Sequence, residues 1–326
     1  MNFLHEHGQR CSHPRREFFK KSFAFFGAAG ASARARAAHK PAEDHKLAIP
    51  VLEKGLERPR ESGLAAPERL RIFDAHLHCP SESADVWQWY PVTKTFEEFA
   101  AYLDRCGVQR GIINNVRCQL AKTPKDFIEG NREVARHVEK HKGRFIGACV
   151  VNPLFIDESL REIEDCRKQL GFLWVGELCN YTVPYPYTIR EFESLVGQVV
   201  KMNMVLDVHT DLEEMEYIIQ KYPQATIVFP HFGDSHEYEH IFKRIDLVAR
   251  NSNCYLDTSG SGHDRVGMLE YAVKTVGADR VLFGSDFSIN CPATVLARIN
   301  HAFISEEQKR KILAGNLEAL LKKVRT

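Results

Sequence analysis

The sequence predicts an α/β fold, a closed (β/α)8 barrel of the TIM type, on three observations. Eight short runs of β-branched and apolar residues recur at intervals of about 30 residues. Helix-period segments fill the intervals, which calls for parallel strands joined by crossover helices. Five of the eight runs end in a histidine, glutamate or aspartate, and the carboxyl ends of the strands are where such a barrel keeps its chemistry.

The strands are expected at LRIFDAHLH (70–78), RGIINNV (110–116), RFIGACVVN (144–152) and GFLWVGEL (171–178), then at MVLDVHT (204–210), ATIVFPHFG (225–233), CYLDTSG (254–260) and RVLFGSDF (280–287). The helices between them run from TFEEFAAYLDRCG through PKDFIEGNREVARHVEKH to DRVGMLEYAVKTVG. Several open on Thr or Asp, which cap free N–H groups, and close near Gly, Asn or Pro. A doubly wound open sheet is the competing arrangement. No GxGxxG follows the first strand, and eight units exceed what that fold needs.

The barrel accounts for residues 69–326. Residues 38–68 are polar and proline-punctuated, without periodicity, and read as a linker or arm. Residues 1–37 carry Arg15 and Arg16 in tandem, a short apolar stretch from Ser22 to Ala33 and small-residue sites such as Ala35-Arg36-Ala37. Basic head, short apolar middle and A-x-A end make an export signal of the twin-arginine type, so the expected location is the periplasm.

Composition narrows the partners. Lys+Arg 44 against Asp+Glu 43 gives no basic excess, so no nucleic-acid partner is expected. Seven of those basic and two of those acidic residues lie within 1–37, leaving a balance of −4 beyond it. No apolar run reaches the ~18 residues of a membrane span. Nine cysteines without a CxxC pair suit neither a disulfide scaffold nor a zinc knuckle. A small-molecule substrate is expected, and a homo-oligomer is left open.

His76 and His78 are two apart on the first strand, so they point the same way. Two neutral imidazoles converging on one point form a metal-ligand pair by geometry, the alternative being a pair of hydrogen-bonded histidines near a strand end. Glu177, His209, His231 and Asp286 end the fourth, fifth, sixth and eighth strands on the same rim. Tyr181, Tyr185 and Tyr187 follow Glu177, and Trp87, Trp89 and Tyr90 follow the first strand. Aromatic cover at a barrel mouth suits a planar or carbon-rich small substrate. Arg117 after the second strand, with His263 and Arg265 after the seventh, are candidates to hold a substrate carboxylate. Cys79 adjoins the metal pair, and a buried free thiol is the simpler reading of it.

DAHLH, DVHT, FPHFG, LFGSDFS and the closing ILAGNLEALL, in this order and spacing, resemble the amidohydrolase superfamily. The branch most similar includes aminocarboxymuconate-semialdehyde decarboxylase. The resemblance spans residues 70 to 323. It implies a barrel of the metal-dependent hydrolase type, with His76, His78, His209 and Asp286 holding one divalent ion, zinc by preference. Asp286 would then shuttle a proton and His231 would polarise the substrate. Where many members carry a modified lysine, this chain has Glu177, which either bridges two ions or orients water beside one. One ion is favoured. The leading expectation is hydrolysis of a small ester, lactone or amide by metal-activated water. The alternative is non-oxidative decarboxylation of an unsaturated or aromatic acid on the same ligands. A barrel that binds a ligand without turnover fits the complete ligand set less well.

Overall fold

The computed structural model describes residues 70–82, 94–233 and 238–325. The expected export signal and arm, together with Trp87, Trp89 and Tyr90, lie outside the described residues. Eight strands stand in sequence order: β1 Phe73–Cys79, β2 Arg110–Asn115, β3 Phe145–Cys149, β4 Trp174–Cys179, β5 Val205–His209, β6 Thr226–Phe229, β7 Cys254–Asp257 and β8 Val281–Leu282. Each neighbouring pair is parallel. The ring closes through the segment after β8. Ala75 N donates to Phe283 O at 2.8 Å, Asp286 N donates to His76 O at 3.0 Å, and Leu77 bridges Phe287.

The helices are α1 Phe96–Cys106, α2 Val116–Gln119, α3 Pro124–Lys140, α4 Ile156–Lys168, α5 Arg190–Lys201 and α6 Leu212–Lys221. They continue with α7 Tyr238–Arg250, α8 Met268–Thr275, α9 Pro292–Asn300, α10 Glu306–Arg310 and α11 Asn316–Arg325. α1 shows how the sequence sets such an element. Thr95 and Glu98 form a reciprocal capping box, Phe96, Phe99, Ala100 and Leu103 make the buried stripe, and Gly107 ends the helix at φ 79°. No described helix is long and apolar enough to cross a membrane.

Two apolar layers result. One lies between strands and helices; the other fills the barrel floor, where Phe73, Ala75, Ile112, Ala148, Trp174, Val205, Val228 and Leu282 pack with Leu317, Leu320 and Leu321 of α11. In a regular strand Ala75 and His76 would face opposite ways. The pairing register shifts between Asp74 and Leu77, and again between Val175 and Leu178. These irregularities re-aim the chain, so His76, His78 and Glu177 turn inward above residues that already fill the floor.

The expected strand positions hold to within a few residues, except that β8 is shorter than 280–287. Phe283 N leaves the ladder to bond Ile312 O at 2.9 Å, and Asp286 turns into the left-handed region at φ 60°.

Candidate metal centre

His76 Nε2 and His78 Nε2 stand 3.0 Å apart, and Asp286 Oδ1 lies 2.9 Å from the latter and 3.8 Å from the former. Glu177 Oε2 approaches the same two nitrogens at 3.4 and 3.6 Å. The other oxygen of Glu177 faces a second group: Oε1 is 2.8 Å from His209 Nδ1 and 3.8 Å from His231 Nε2. His76, His78 and Asp286 thus gather as one buried cluster and Glu177, His209 and His231 as another, with Glu177 reaching both.

What lies behind the ligands fixes their chemistry. Asp257 Oδ2 sits 3.0 Å from His76 Nδ1, and Asn114 Oδ1 sits 2.9 Å from His78 Nδ1. Both are acceptors, so each imidazole carries its proton on Nδ1 and its lone pair on Nε2. The two lone pairs then point at each other, which a cation resolves and a hydrogen bond cannot. The surrounding charge also favours a cation there: burial works against positive charge on His76, yet the Glu177 and Asp257 carboxylates hold its pKa well above the ordinary imidazole value, so a proton or an ion at Nε2 is stabilised. Burial likewise works against ionised Glu177, but His76 and His209 hold it well below the usual carboxylate range. The donor set therefore fits a divalent ion: neutral nitrogens and carboxylate oxygens at separations suited to ligands ~2.1 Å from a common centre.

The backbone is arranged around these side chains. His231 and Asp286 both adopt left-handed backbone, φ 66° and 60°, which non-glycine residues avoid and which concentrates at functional sites. His231 Nδ1 contacts Ser259 Oγ at 2.9 Å, and its backbone N–H donates to Asp257 Oδ1. A Cβ on Gly260 would stand 2.2 Å from that Nδ1, so only glycine leaves room for the ring. Gly176 fills the same need before Glu177: at φ 131° a Cβ would stand 2.2 Å from Asp207 O.

The expected substrate residues separate. Tyr181 lies at the mouth with its ring edge-on to His209, centroids 4.8 Å apart, and the anionic form of the nearby Cys179, burial and Glu177 all raise its pKa. Arg117 faces acidic residues of α3, with Nη2 2.5 Å from Glu129 and 3.6 Å from Asp126, and Nη1 3.4 Å from Glu133. Arg265 lies over the Tyr238 ring at 5.1 Å. His263 is buried, and burial pushes its pKa down to about 4, so at neutral pH it offers a hydrogen bond and no charge. Tyr185 and Tyr187 belong to the apolar packing. Cys79 is a buried thiol whose pKa burial raises.

Four residues that support the site were missed: Asn114, Asp257, Ser259 and Gln119, whose Nε2 donates to Glu177 Oε2 at 3.0 Å. A polar residue ending every apolar run was the available signal. RGIINNV and CYLDTSG both carry it.

Fold and site together define a metal-dependent (β/α)8 enzyme. Residues 73–323 match the sequence pattern of the family described as Amidohydrolase, and the chain belongs to that family. Among curated proteins it is similar to gamma-resorcylate decarboxylase of Polaromonas sp. strain JS666, at 24% identity over 63% of this chain and 76% of that one. Its fold is that of 5-carboxyvanillate decarboxylase from Sphingomonas paucimobilis, with TM-score 0.63 at 16% identity over 78% and 99% of the two chains. It is also that of dihydroxybenzoic acid decarboxylase from Polaromonas sp. JS666, solved with manganese and the inhibitor 2-nitroresorcinol. There the TM-score is 0.62 at 19% identity, over 78% and 98% of the chains.

These relatives overturn the expectation of hydrolysis. The sequence relative and both structural ones are decarboxylases, and none is an esterase, lactonase or amidase. The physical reason is that the ligand motifs specify an ion and its surroundings, while the bond that breaks depends on the substrate placed beside it.

Proposed function

We propose that the chain is a metal-dependent, non-oxidative decarboxylase of a hydroxylated aromatic carboxylic acid. The observation that carries this reading is the buried convergence of His76, His78, Asp286 and Glu177 in a chain whose relatives decarboxylate such acids. His76, His78 and Asp286, with His209 across Glu177 completing the set, would hold a divalent ion, zinc or manganese, which would supply a fixed positive charge for the substrate's carboxylate and neighbouring hydroxyl.

The remaining steps fall to the chain's own groups. The bond from ring carbon to carboxyl carbon breaks, its electron pair stays on the ring carbon, and a proton replaces the departing carbon dioxide. Asp286 is placed to hold that proton. Its Oδ2 accepts from Asn290 Nδ2 at 2.9 Å, and its backbone is anchored to His76 O. His231, steadied by Ser259, presents Nε2 toward Glu177 and stabilises negative charge as it spreads into the ring. Tyr181 offers an aromatic wall beside His209. His76, His78, Glu177 and Asp286 are each at most 6% exposed, so a carboxylate brought among them sheds water, which favours its conversion to neutral carbon dioxide.

A second reading, two ions bridged by Glu177, is favoured by one observation: Glu177, His209 and His231 form a cluster of their own.

The test is a substrate panel of 2,6-dihydroxybenzoate, 5-carboxyvanillate and related hydroxybenzoates beside simple esters and lactones, read for carbon dioxide and for new acid. Carbon dioxide release from a hydroxybenzoate, lowered by about 10²-fold or more in Asp286→Asn, is expected. New acid from an ester or lactone, with no carbon dioxide from any hydroxybenzoate, would refute the proposal.

A further inference from the structure

Eight cysteines lie among the described residues, all as free thiols. Six are buried: Cys79, Cys118, Cys149, Cys166, Cys179 and Cys254. The two that reach solvent, Cys106 and Cys291, are 185 residues apart in sequence but neighbours in space: Tyr102, one turn before Cys106 on α1, places its hydroxyl 3.4 Å from the Cys291 sulfur. Cys106 is the last residue of α1, and Cys291 occupies the N-cap of α9. That the two accessible thiols share one neighbourhood is what distinguishes this pair from the buried set.

We propose that Cys106 and Cys291 form a dithiol that closes to a disulfide by exchange with a small disulfide donor. The two sulfurs have different roles. Cys291 stands where the free N–H groups of a nine-residue helix point, and the Tyr102 hydroxyl lies 3.4 Å from its sulfur. Burial opposes its ionisation, but Tyr102 and the amides of Ala293 and Thr294 outweigh burial and lower its pKa. Cys106 has its pKa raised, first by burial and then by Cys291 itself. Cys291 is therefore the attacking thiolate and Cys106 the resolving thiol.

With oxidised glutathione as donor, the Cys291 thiolate attacks one donor sulfur and expels a glutathione thiolate, leaving a mixed disulfide. Cys106 then loses its proton to water, attacks the Cys291 sulfur and expels the second glutathione. Two protein thiols are oxidised, one glutathione disulfide is reduced to two thiols, and no other oxidant is needed. The linkage joins α1 to the start of α9, one residue after Asn290, which supports Asp286.

The experiment uses the full chain, reduced and freed of reductant, then treated with oxidised glutathione, quenched by acid and digested without reduction. Wild type is expected to give one cross-linked peptide pair, joining the segments that hold Cys106 and Cys291. Cys106→Ser should stop at a stable glutathione adduct on Cys291, and Cys291→Ser should react at least tenfold more slowly at position 106. A lasting glutathione adduct on Cys291 in wild type, a cross-link through any other cysteine, or no reaction at conditions that oxidise a model dithiol would each overturn the proposal.

Discussion

Asp257→Asn changes two atoms' worth of chemistry and leaves the shape alone, so it isolates what orients His76. Asp257 is fully buried. Its Oδ1 accepts backbone N–H groups from Ser259 at 2.8 Å and His231 at 3.2 Å, along with the Ser259 hydroxyl, while Oδ2 accepts from His76 Nδ1. In the amide, the oxygen stays with the two backbone donors, because turning NH2 toward them would oppose donor to donor. The NH2 then meets His76 Nδ1. That nitrogen must become an acceptor, which moves its proton to Nε2, the atom that faces His78 across 3.0 Å. His76 loses its ligand lone pair, or else the amide flips and strands buried N–H groups. Either outcome forfeits about 1–3 kcal/mol, which corresponds to metal affinity lower by about 10- to 100-fold. Titration against a chromophoric chelator reads the affinity, and turnover at saturating metal should recover most of what is lost at limiting metal. Unchanged thermal stability with metal affinity within about twofold of wild type would show that Asp257 does not set the tautomer.

Two further outcomes follow from the same geometry. Glu177→Gln should leave metal content near one ion per chain if the site holds a single ion, and lower it from about two toward one if Glu177 bridges; elemental analysis decides, and turnover falls about 10- to 100-fold in either case. His263 has a pKa of about 4 in the fold against 6.5 when exposed, so the unfolded chain takes up its proton first as pH falls. Its stabilising contribution is full above pH 6.5 and is lost as pH falls toward 4, an effect of about 3 kcal/mol. Urea unfolding should show wild type losing that much more than His263→Leu across the interval, and parallel profiles would contradict it.

The fold was legible because eight periodic runs and their helices each satisfy local rules that agree with the barrel. The rim was legible because HxH and the terminal polar residues mark strand ends. Asp257 and Asn114 were not, because their work is done between strands: Asp257 on β7 serves His76 on β1, Asn114 on β2 stands beside His78 in the β1–β2 register, and no spacing in the chain encodes those pairings. The inward turn of His76 and Glu177 was also hidden, since it depends on register shifts that alternation alone does not reveal. For Arg117, Asp126, Glu129 and Glu133 lie along one face of α3 and were readable as partners.

Asp74 Oδ1 accepts backbone N–H groups from both His76 and Ser285, and the next residue is Asp286. The first strand and the segment that follows the last one therefore meet in the residues that carry the proposed ion's ligands. Such a centre is a clasp on a seam. It does not exist until the C-terminal end of the chain has been made and has docked against a strand synthesised some two hundred residues earlier. A ribosome-bound or truncated barrel lacking that last segment would hold His76, His78 and Glu177 without Asp286. Ion capture thus comes after ring closure and makes reopening costly, so holo protein should release its two ends for exchange or proteolysis more slowly than apo protein does.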